Sequence, residues 1–394
     1  MKTSHTASDQ LAKTTAWLAG EEKNMLTLLG KLVNTDSGSY DRDGVNLVGS
    51  IVRGEFEALG FVTEVHDGGD YGDHLSFEHP EAEDPAIIAV AHMDTVFPRG
   101  TAAERPFKVE GDRAYGPGVV DMKGSHVALL YALKALVQDG HGECLKHLKI
   151  LFNSDEEVGS RSSRPLIERV AEGKKYALIM EPSRDNGTVV SARKGGGRYA
   201  LQVEGRASHA GVAPEKGRNA IEVLARKVIK LHTLNDYENG VSVSVGLAEG
   251  GTAVNTIPPA ASAQIDVRVS TMEQAEEVVK KMEAICAEEE MEGTRVTLSG
   301  HISRPPMMEN EGTNELIGVM QEIGREMGVS IEAMKTGGGS DAAFTAAAGV
   351  PTIDGIGPIG GNAHSEDEFL YVPSLTERTC LLAETIRRLV ENSD

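Results

Sequence analysis

Five ligand-type side chains stand at separated points of the chain, each just past an apolar run or in glycine-rich chain. They are His92 in Ala91-His92-Met93-Asp94-Thr95, Asp121 in Asp121-Met122-Lys123-Gly124, Glu157 in Asp155-Glu156-Glu157, Glu181 after Ala177-Leu178-Ile179-Met180, and His364 near the C-terminus. Imidazole nitrogen and carboxylate oxygen are donors that zinc takes, and a hydrolytic site leaves a position open for water. Two histidines and three carboxylates are too many for one four-coordinate ion that also holds water, and they suit two ions sharing Asp121 as a bridge. Asp94, two residues beyond His92, is placed to hydrogen-bond the other ring nitrogen and fix its tautomer. Glu156, beside a ligand and not required as one, is available as a general base on water. Taken singly these signals are weak, because His-x-Asp pairs arise by chance and adjacent glutamates usually form a solvated face. Their joint placement carries the reading. The run Gly337-Gly338-Gly339 lacks the Gly-Lys-Ser/Thr of a phosphate loop, which argues against a phosphate cradle.

The elements that must position these residues read as an α/β domain. Apolar residues at helical spacing predict helices over 17–33, 46–59 and 123–137, and short apolar runs predict strands over 61–65, 86–91, 148–152 and 176–180. Alternation of this kind gives a mostly parallel sheet with helices on both faces, whose ligands bind beyond the carboxyl ends of the strands. The pattern changes at 195–305. There a strand (198–203), a helix (219–234), two strands (241–247 and 261–269), a helix (272–289) and a strand (295–298) follow in the βαββαβ order of a ferredoxin-like domain. The first domain resumes with helices over 314–327 and 375–390 and a strand near 350–353. The expected boundaries are 1–196 and 306–394 for the two parts of the first domain, with 197–305 inserted between them.

Length supports two domains, since 394 residues exceed what one core usually holds. A formal charge of −21 repels nucleic acid and anionic membranes, which excludes both as partners. An anionic substrate would need local arginines to overcome that field. The polar N-terminus lacks the apolar core of a secretory signal, and no run is long enough to span a bilayer, so a cytoplasmic protein is expected. Cys144, Cys286 and Cys380, odd in number and without CxxC spacing, read as free thiols.

From about residue 17 onward the chain resembles the di-zinc aminoacylase and carboxypeptidase superfamily, which also includes acetylornithine deacetylase and succinyl-diaminopimelate desuccinylase. It is most similar to the glutamate carboxypeptidase (glucarpidase-like) branch. The motifs AHMDTV, GPGVVDMKG, NSDEEVGS, MEPS, ASHAG, NTIPP, DVR, GGGSDA and AHSEDE agree in order and spacing. The resemblance implies two zinc ions per chain, replaceable by cobalt or manganese. One would lie on His92, Asp121 and Glu181, the other on Asp121, Glu157 and His364, with Glu156 as base and a cis peptide bond after Asp121. It implies that the inserted domain is a lid and dimerisation domain in a homodimer. His209 and Asn255 would there reach the substrate of the neighbouring subunit, and Arg268, Arg304 and Gly339 would contact substrate.

Alternation over 261–269 puts Arg268 on the face opposite the core, where a guanidinium fork suits a substrate carboxylate and an ion pair with Asp266 is the plainer alternative. The loop 182–188 is shorter than in glucarpidase and lacks its lysine, leaving Arg184 as the candidate contact for a glutamate side chain. The expected activity is metal-assisted hydrolysis of an N-acyl or peptidyl amino acid with a free carboxylate, glutamate first. The rivals are a deacylase of small N-acyl amino acids, a dipeptidase, and a silent carboxylate-binding protein.

Overall fold

In the computed structural model, which describes residues 2–184 and 186–392 (main chain only for 2–9), strand Ile87–His92 is buried at every position. That explains its unbroken apolar run, because a parallel strand covered on both faces has no solvent side to alternate with. It lies in a six-stranded sheet ordered Val62–His66, His74–Glu78, Leu148–Asn153, Ile87–His92, Tyr176–Ile179, Thr352–Ile353. The last four run parallel. The first two form an antiparallel hairpin, joined antiparallel to Leu148–Asn153. Strand His74–Glu78 was not expected from the sequence, since its burial lacks the alternation that marks a half-exposed strand.

Helices Lys2–Val33, Arg42–Ala58, Gly124–Gln138 and Val372–Glu391 supply the core on the sheet. The first begins well before residue 17. Gly124–Gln138 is buried over most of its surface. Phe56 packs on Phe77 and Phe152 at ring separations of 4.9 and 5.5 Å, and Asp41 caps Arg42–Ala58 by accepting the Gly44 N–H at 3.1 Å. A second sheet, ordered Gly360–Gly361, Phe369–Tyr371, Arg113–Tyr115, Lys108–Glu110, went unread because strands of two or three residues show no period. Its first two strands frame the loop that carries His364.

These elements belong to one compact unit, Met1–Ala192 with Glu309–Lys335 and Ser340–Asp394; the other is Arg193–Met308 with Thr336–Gly339. The second unit is an antiparallel sheet ordered Ser242–Gly250, Ala260–Val269, Gly195–Glu204, Arg295–Arg304, with helices Ala220–His232 and Met272–Ala287. Its core takes alternate residues: Tyr199, Leu201 and Val203 from one strand, Ala261, Ala263, Ile265, Val267 and Val269 from the next. Thr271 and Gln274 form a capping box at the start of Met272–Ala287. The buried Lys227 ammonium donates to the carbonyls of Ile285 and Glu288, both at 2.6 Å, and so closes that helix's C-terminal end. The three cysteines are free and buried. Among the described residues no helix is long and apolar enough to cross a membrane.

Candidate metal centre

The parallel strands deliver three of the ligand-type residues. His92 ends Ile87–His92, Glu157 sits in the turn Glu156–Val158 after Leu148–Asn153, and Glu181 follows Tyr176–Ile179. Asp121 lies in the irregular helical turn Val119–Lys123 before Gly124–Gln138, and the peptide bond after it is cis. His364 is half exposed in its loop, at φ +67°. That left-handed conformation costs an L residue about 1–2 kcal/mol and persists where the surroundings hold it.

The five side chains converge. His92 Nε2 stands 3.2 Å from Asp121 Oδ1 and 3.7 Å from Glu181 Oε1. His364 Nε2 stands 3.2 Å from Asp121 Oδ2 and 3.1 Å from Glu157 Oε2. Asp121 thus turns one oxygen to each histidine. Donor atoms about 2.0–2.1 Å from one tetrahedral ion lie roughly 3.3 Å apart, so these separations fit two ions with a shared carboxylate. Glu157 Oε1 is buried without a hydrogen-bond partner among the described residues, an orphan acceptor that a cation would satisfy. A carboxylate oxygen of Glu156 lies within 4.8 Å of the donor atoms of His92 and Glu181, within reach of a water held there.

The electrostatics agree with a cation-binding pocket. Burial pushes the Glu157 carboxyl up to about 7 against the His364 hydrogen bond, with the Asp121 charge adding to the rise. Burial and the Asp121 charge likewise push Glu181 well up. Burial opposes charge on His92, yet the Asp121 and Asp94 hydrogen bonds outweigh it and hold that imidazole well above its ordinary value. His364 is raised to about 11 by its hydrogen bonds to Asp121 and Glu157. Without a cation the cluster gathers protons, and a bound dication would take over their charge and reverse that tendency.

Surrounding groups fix the ligands. His92 Nδ1 lies 2.9 Å from the main-chain oxygen of Asp94 and 3.5 Å from its carboxylate. The carbonyl makes the shorter of the two contacts to Nδ1, and the carboxylate that the sequence reading named makes the longer one. The Asp94 carboxylate does something else: it accepts the N–H groups of Glu156 and Glu157, each at 3.1 Å, and the Ser39 hydroxyl at 2.7 Å. One side chain thereby positions both the candidate base and a candidate ligand. Asp155 holds the same turn by accepting from the Ser162 N–H at 2.6 Å.

Two residues were missed in the sequence. Glu368, buried, accepts three main-chain N–H groups around Asp121: Gly118 at 3.1 Å, Val120 at 2.9 Å and Asp121 itself at 3.1 Å. Arg105 donates to the carbonyl of Glu366 at 3.0 Å and stacks over Phe97 at 4.8 Å, clasping the His364 loop. The acidic run after His364 was the visible signal for Glu368, but nothing in it tells which carboxylate turns inward.

The remaining candidates, Arg184 apart, belong to the second unit. His209 pairs in a β-bridge with Thr256, and the Ala210 N–H donates to the Asn255 carbonyl at 2.9 Å, so the ASHAG and NTIPP loops meet within the second unit. Arg268 forks onto Asp266 at 2.9 and 3.1 Å. Arg268 and Arg304 are both cross-strand partners of Gly196, on its two sides. A Cβ on Gly196 would stand 2.9 Å from Arg268 Cδ, and one on Gly339 would stand 3.0 Å from Arg304 Cδ. Arg184 lies in a turn of the first unit that closes by its N–H on the Thr188 carbonyl at 3.2 Å.

Comparison with known proteins finds relatives of this chain over most of its length. The sequence pattern of peptidase family M20/M25/M40 matches residues 88–388. Carboxypeptidase G2 of Pseudomonas sp. (strain RS-16) is 32% identical over 377 residues, covering 94% of this chain and 90% of that one. A succinyl-diaminopimelate desuccinylase of Thioalkalivibrio sulfidiphilus is 28% identical over 342 residues, covering 80% and 89%. The crystal structure of aminopeptidase PepT from Bacillus cereus superposes with a TM-score of 0.78 at 21% identity, covering 94% and 99%.

Proposed function

Because the chain belongs to peptidase family M20/M25/M40, we propose that this metallopeptidase is a di-zinc carboxypeptidase. It cleaves the amide bond of N-acyl or peptidyl amino acids that carry a free carboxylate, glutamate first. The observation that carries the reading is the divided carboxylate of Asp121, one oxygen 3.2 Å from each histidine. His92, Asp121 and Glu181 would hold one ion, and Asp121, Glu157 and His364 the other. Bound there, zinc would supply Lewis-acid polarisation of the scissile carbonyl and lower the pKa of water toward ~7.

The chain's own groups do the rest. Asp94 holds the turn so that the Glu156 carboxylate faces the cluster. Glu156 takes the proton of the attacking water as the C–O bond forms, then passes it to the leaving amine as the C–N bond breaks. His209 donates a hydrogen bond to the carbonyl oxygen as negative charge develops on it. Arg268, released from Asp266, and Arg304 receive the substrate carboxylate. In the homodimer we propose, His209 serves the neighbouring subunit.

Deacylation of small N-acyl amino acids is the second reading, favoured by the 28% identity to a desuccinylase. The test of the mechanism is a pair of substitutions. Glu156→Gln is expected to keep its metal and lose turnover by roughly 100- to 10,000-fold, whereas Glu157→Gln loses metal as well. A Glu156→Gln enzyme with wild-type kcat would overturn the assignment.

A further inference from the structure

The turn that carries Glu156 and Glu157 is tied at both ends to one side chain from another strand. His74 opens strand His74–Glu78 and is 2% exposed. Its Nδ1 lies 2.9 Å from the hydroxyl of Ser154, just before the turn, and its Nε2 lies 3.1 Å from the hydroxyl of Ser162, at the far end. The chain from Asp155 to Arg161 therefore begins and ends on one imidazole. The turn needs such support. Ser160 sits at φ +53°, a left-handed conformation uncommon for a residue with a side chain, and its N–H closes back on the Asp155 carbonyl at 2.7 Å.

The hydrogen bonds explain the histidine. The Ser154 hydroxyl donates to the Gly72 carbonyl, so its one hydrogen is used and it accepts from Nδ1–H. Burial lowers the His74 pKa against the pull of the Asp155 carboxylate; the cross-strand His66 adds to the fall, and Asp94 and Asp73 oppose it. Nε2 of the neutral ring is then an acceptor for Ser162, whose hydroxyl also reaches Asp155 Oδ2 at 2.8 Å. That carboxylate oxygen keeps the Ser162 N–H at 2.6 Å in either case. A hydroxyl or a primary amide has no second nitrogen across a rigid ring and could not hold both serines. An apolar side chain would fill the site, as the neighbouring Leu75 and Phe77 fill theirs, and hold neither.

We propose that His74 is a positioning residue, which by holding Ser154 and Ser162 keeps this turn closed and so aims Glu156 at the attacking water and Glu157 at its ion. The roles of the two glutamates rest on the metal-assisted hydrolysis proposed above, whereas the closure of the turn does not. Asp94 and His74 act at different atoms. Asp94 accepts the N–H groups of Glu156 and Glu157 within the turn, and His74 secures its two feet. A loosened turn leaves the groups that receive the substrate carboxylate untouched, so the loss should fall on turnover and on metal rather than on substrate affinity.

The test uses the purified full chain, zinc-loaded and metal-free. His74→Phe keeps a flat ring in the site and removes both contacts, while each serine hydroxyl retains its other acceptor. Glu384→Gln, on the closing helix, disturbs the buried contacts to Arg387 at 2.6 and 2.9 Å and controls for lost stability alone. In His74→Phe and not in the control, the Gly159 and Ser160 amide hydrogens should exchange faster by about 10-fold or more. Zinc affinity should fall by about 10- to 100-fold. On an N-acylglutamate that the wild type cleaves, kcat should fall by a similar factor, with KM held within about 3-fold. Ser154→Ala with Ser162→Ala should speed that exchange less in His74→Phe than in the wild type, because all act through the same contacts. His74→Gln, which can reach one serine only, should fall between the two and is read in place of a His74→Phe chain that does not fold. Wild-type exchange in the His74 variant, equal acceleration in Glu384→Gln, or fully additive serine effects would overturn the proposal. So would unchanged kcat and zinc affinity in a chain whose turn has loosened. A wild type that hydrolyses no N-acyl amino acid would instead refute the hydrolysis reading, and the exchange rates would then decide whether His74 closes the turn.

Discussion

Glu368→Gln removes the charge of a carboxyl that burial pushes up to about 7 against its main-chain hydrogen bonds, and changes the shape of the side chain almost not at all, so above that pH it isolates what the carboxylate does for Asp121. Glu368 is 1% exposed and accepts three N–H groups, two on Oε1 and one on Oε2. If the glutamine oxygen takes the place of Oε1, the bonds from Val120 and Asp121 survive as neutral ones, each weaker by about 1 kcal/mol. The amide nitrogen then faces the Gly118 N–H, donor against donor, which leaves a buried group unsatisfied at about 1–3 kcal/mol. The turn carrying Asp121 is therefore less well held by roughly 3–5 kcal/mol, part of which relaxation recovers. Because the strained element is a ligand's own main chain, metal affinity should fall by about 10- to 100-fold.

The assay is competition against a chelator of known affinity, run beside urea denaturation of the metal-free protein. Glu384→Gln is the control. Glu384 is also buried and bonded to Arg387 at 2.6 and 2.9 Å and to Arg388 at 2.8 Å, but it lies on the closing helix outside the ligand cluster. It should lower stability and leave metal affinity alone. Wild-type affinity in Glu368→Gln, or the same affinity loss in both variants, would refute the positioning argument.

Two further outcomes follow from the proposed roles. Arg268→Ala should weaken cleavage by about 2–5 kcal/mol in kcat/KM for substrates with a free α-carboxylate, and an equal loss on amidated substrates would make the arginine structural. Co-refolding inactive Glu156→Ala and His209→Ala chains should restore roughly a quarter of wild-type activity if a homodimer shares its sites, since half the dimers are mixed and half of their sites are intact. A mixture that stays dead would remove the sharing and leave the metal chemistry standing.

Much of the site's frame was legible because the physics behind it is local. A parallel strand buried on both faces must be apolar throughout, so the ends of Ile87–His92, Leu148–Asn153 and Tyr176–Ile179 announce themselves, and the polar residues just past them stand out. In the second unit alternate strand residues enter the core, the signal on which the sequence reading rested there, whereas the inclusion of Thr336–Gly339 in that unit has no local signal. What escaped depends on tertiary surroundings. Strand His74–Glu78 is buried on both faces and shows neither period, and the short strands framing the His364 loop are too brief to show any. Inward rotation of Glu368, from a run in which Glu366 and Asp367 stay at the surface, is decided by the N–H groups of a turn far away in sequence. The carbonyl of Asp94 shares with its side chain a role expected of the side chain alone, because that side chain also binds the Glu156 and Glu157 main chain.

The most direct test of the central claim is a metal count on the purified chain, by inductively coupled plasma mass spectrometry after equilibration with zinc. The account expects close to two zinc ions per chain in the wild type. It also expects about one in an Asp121-intact variant that lacks His364, with hydrolysis lost on chelation and restored on adding zinc back. Wild-type protein that binds no zinc, or that hydrolyses its substrate equally well after complete chelation, would contradict it.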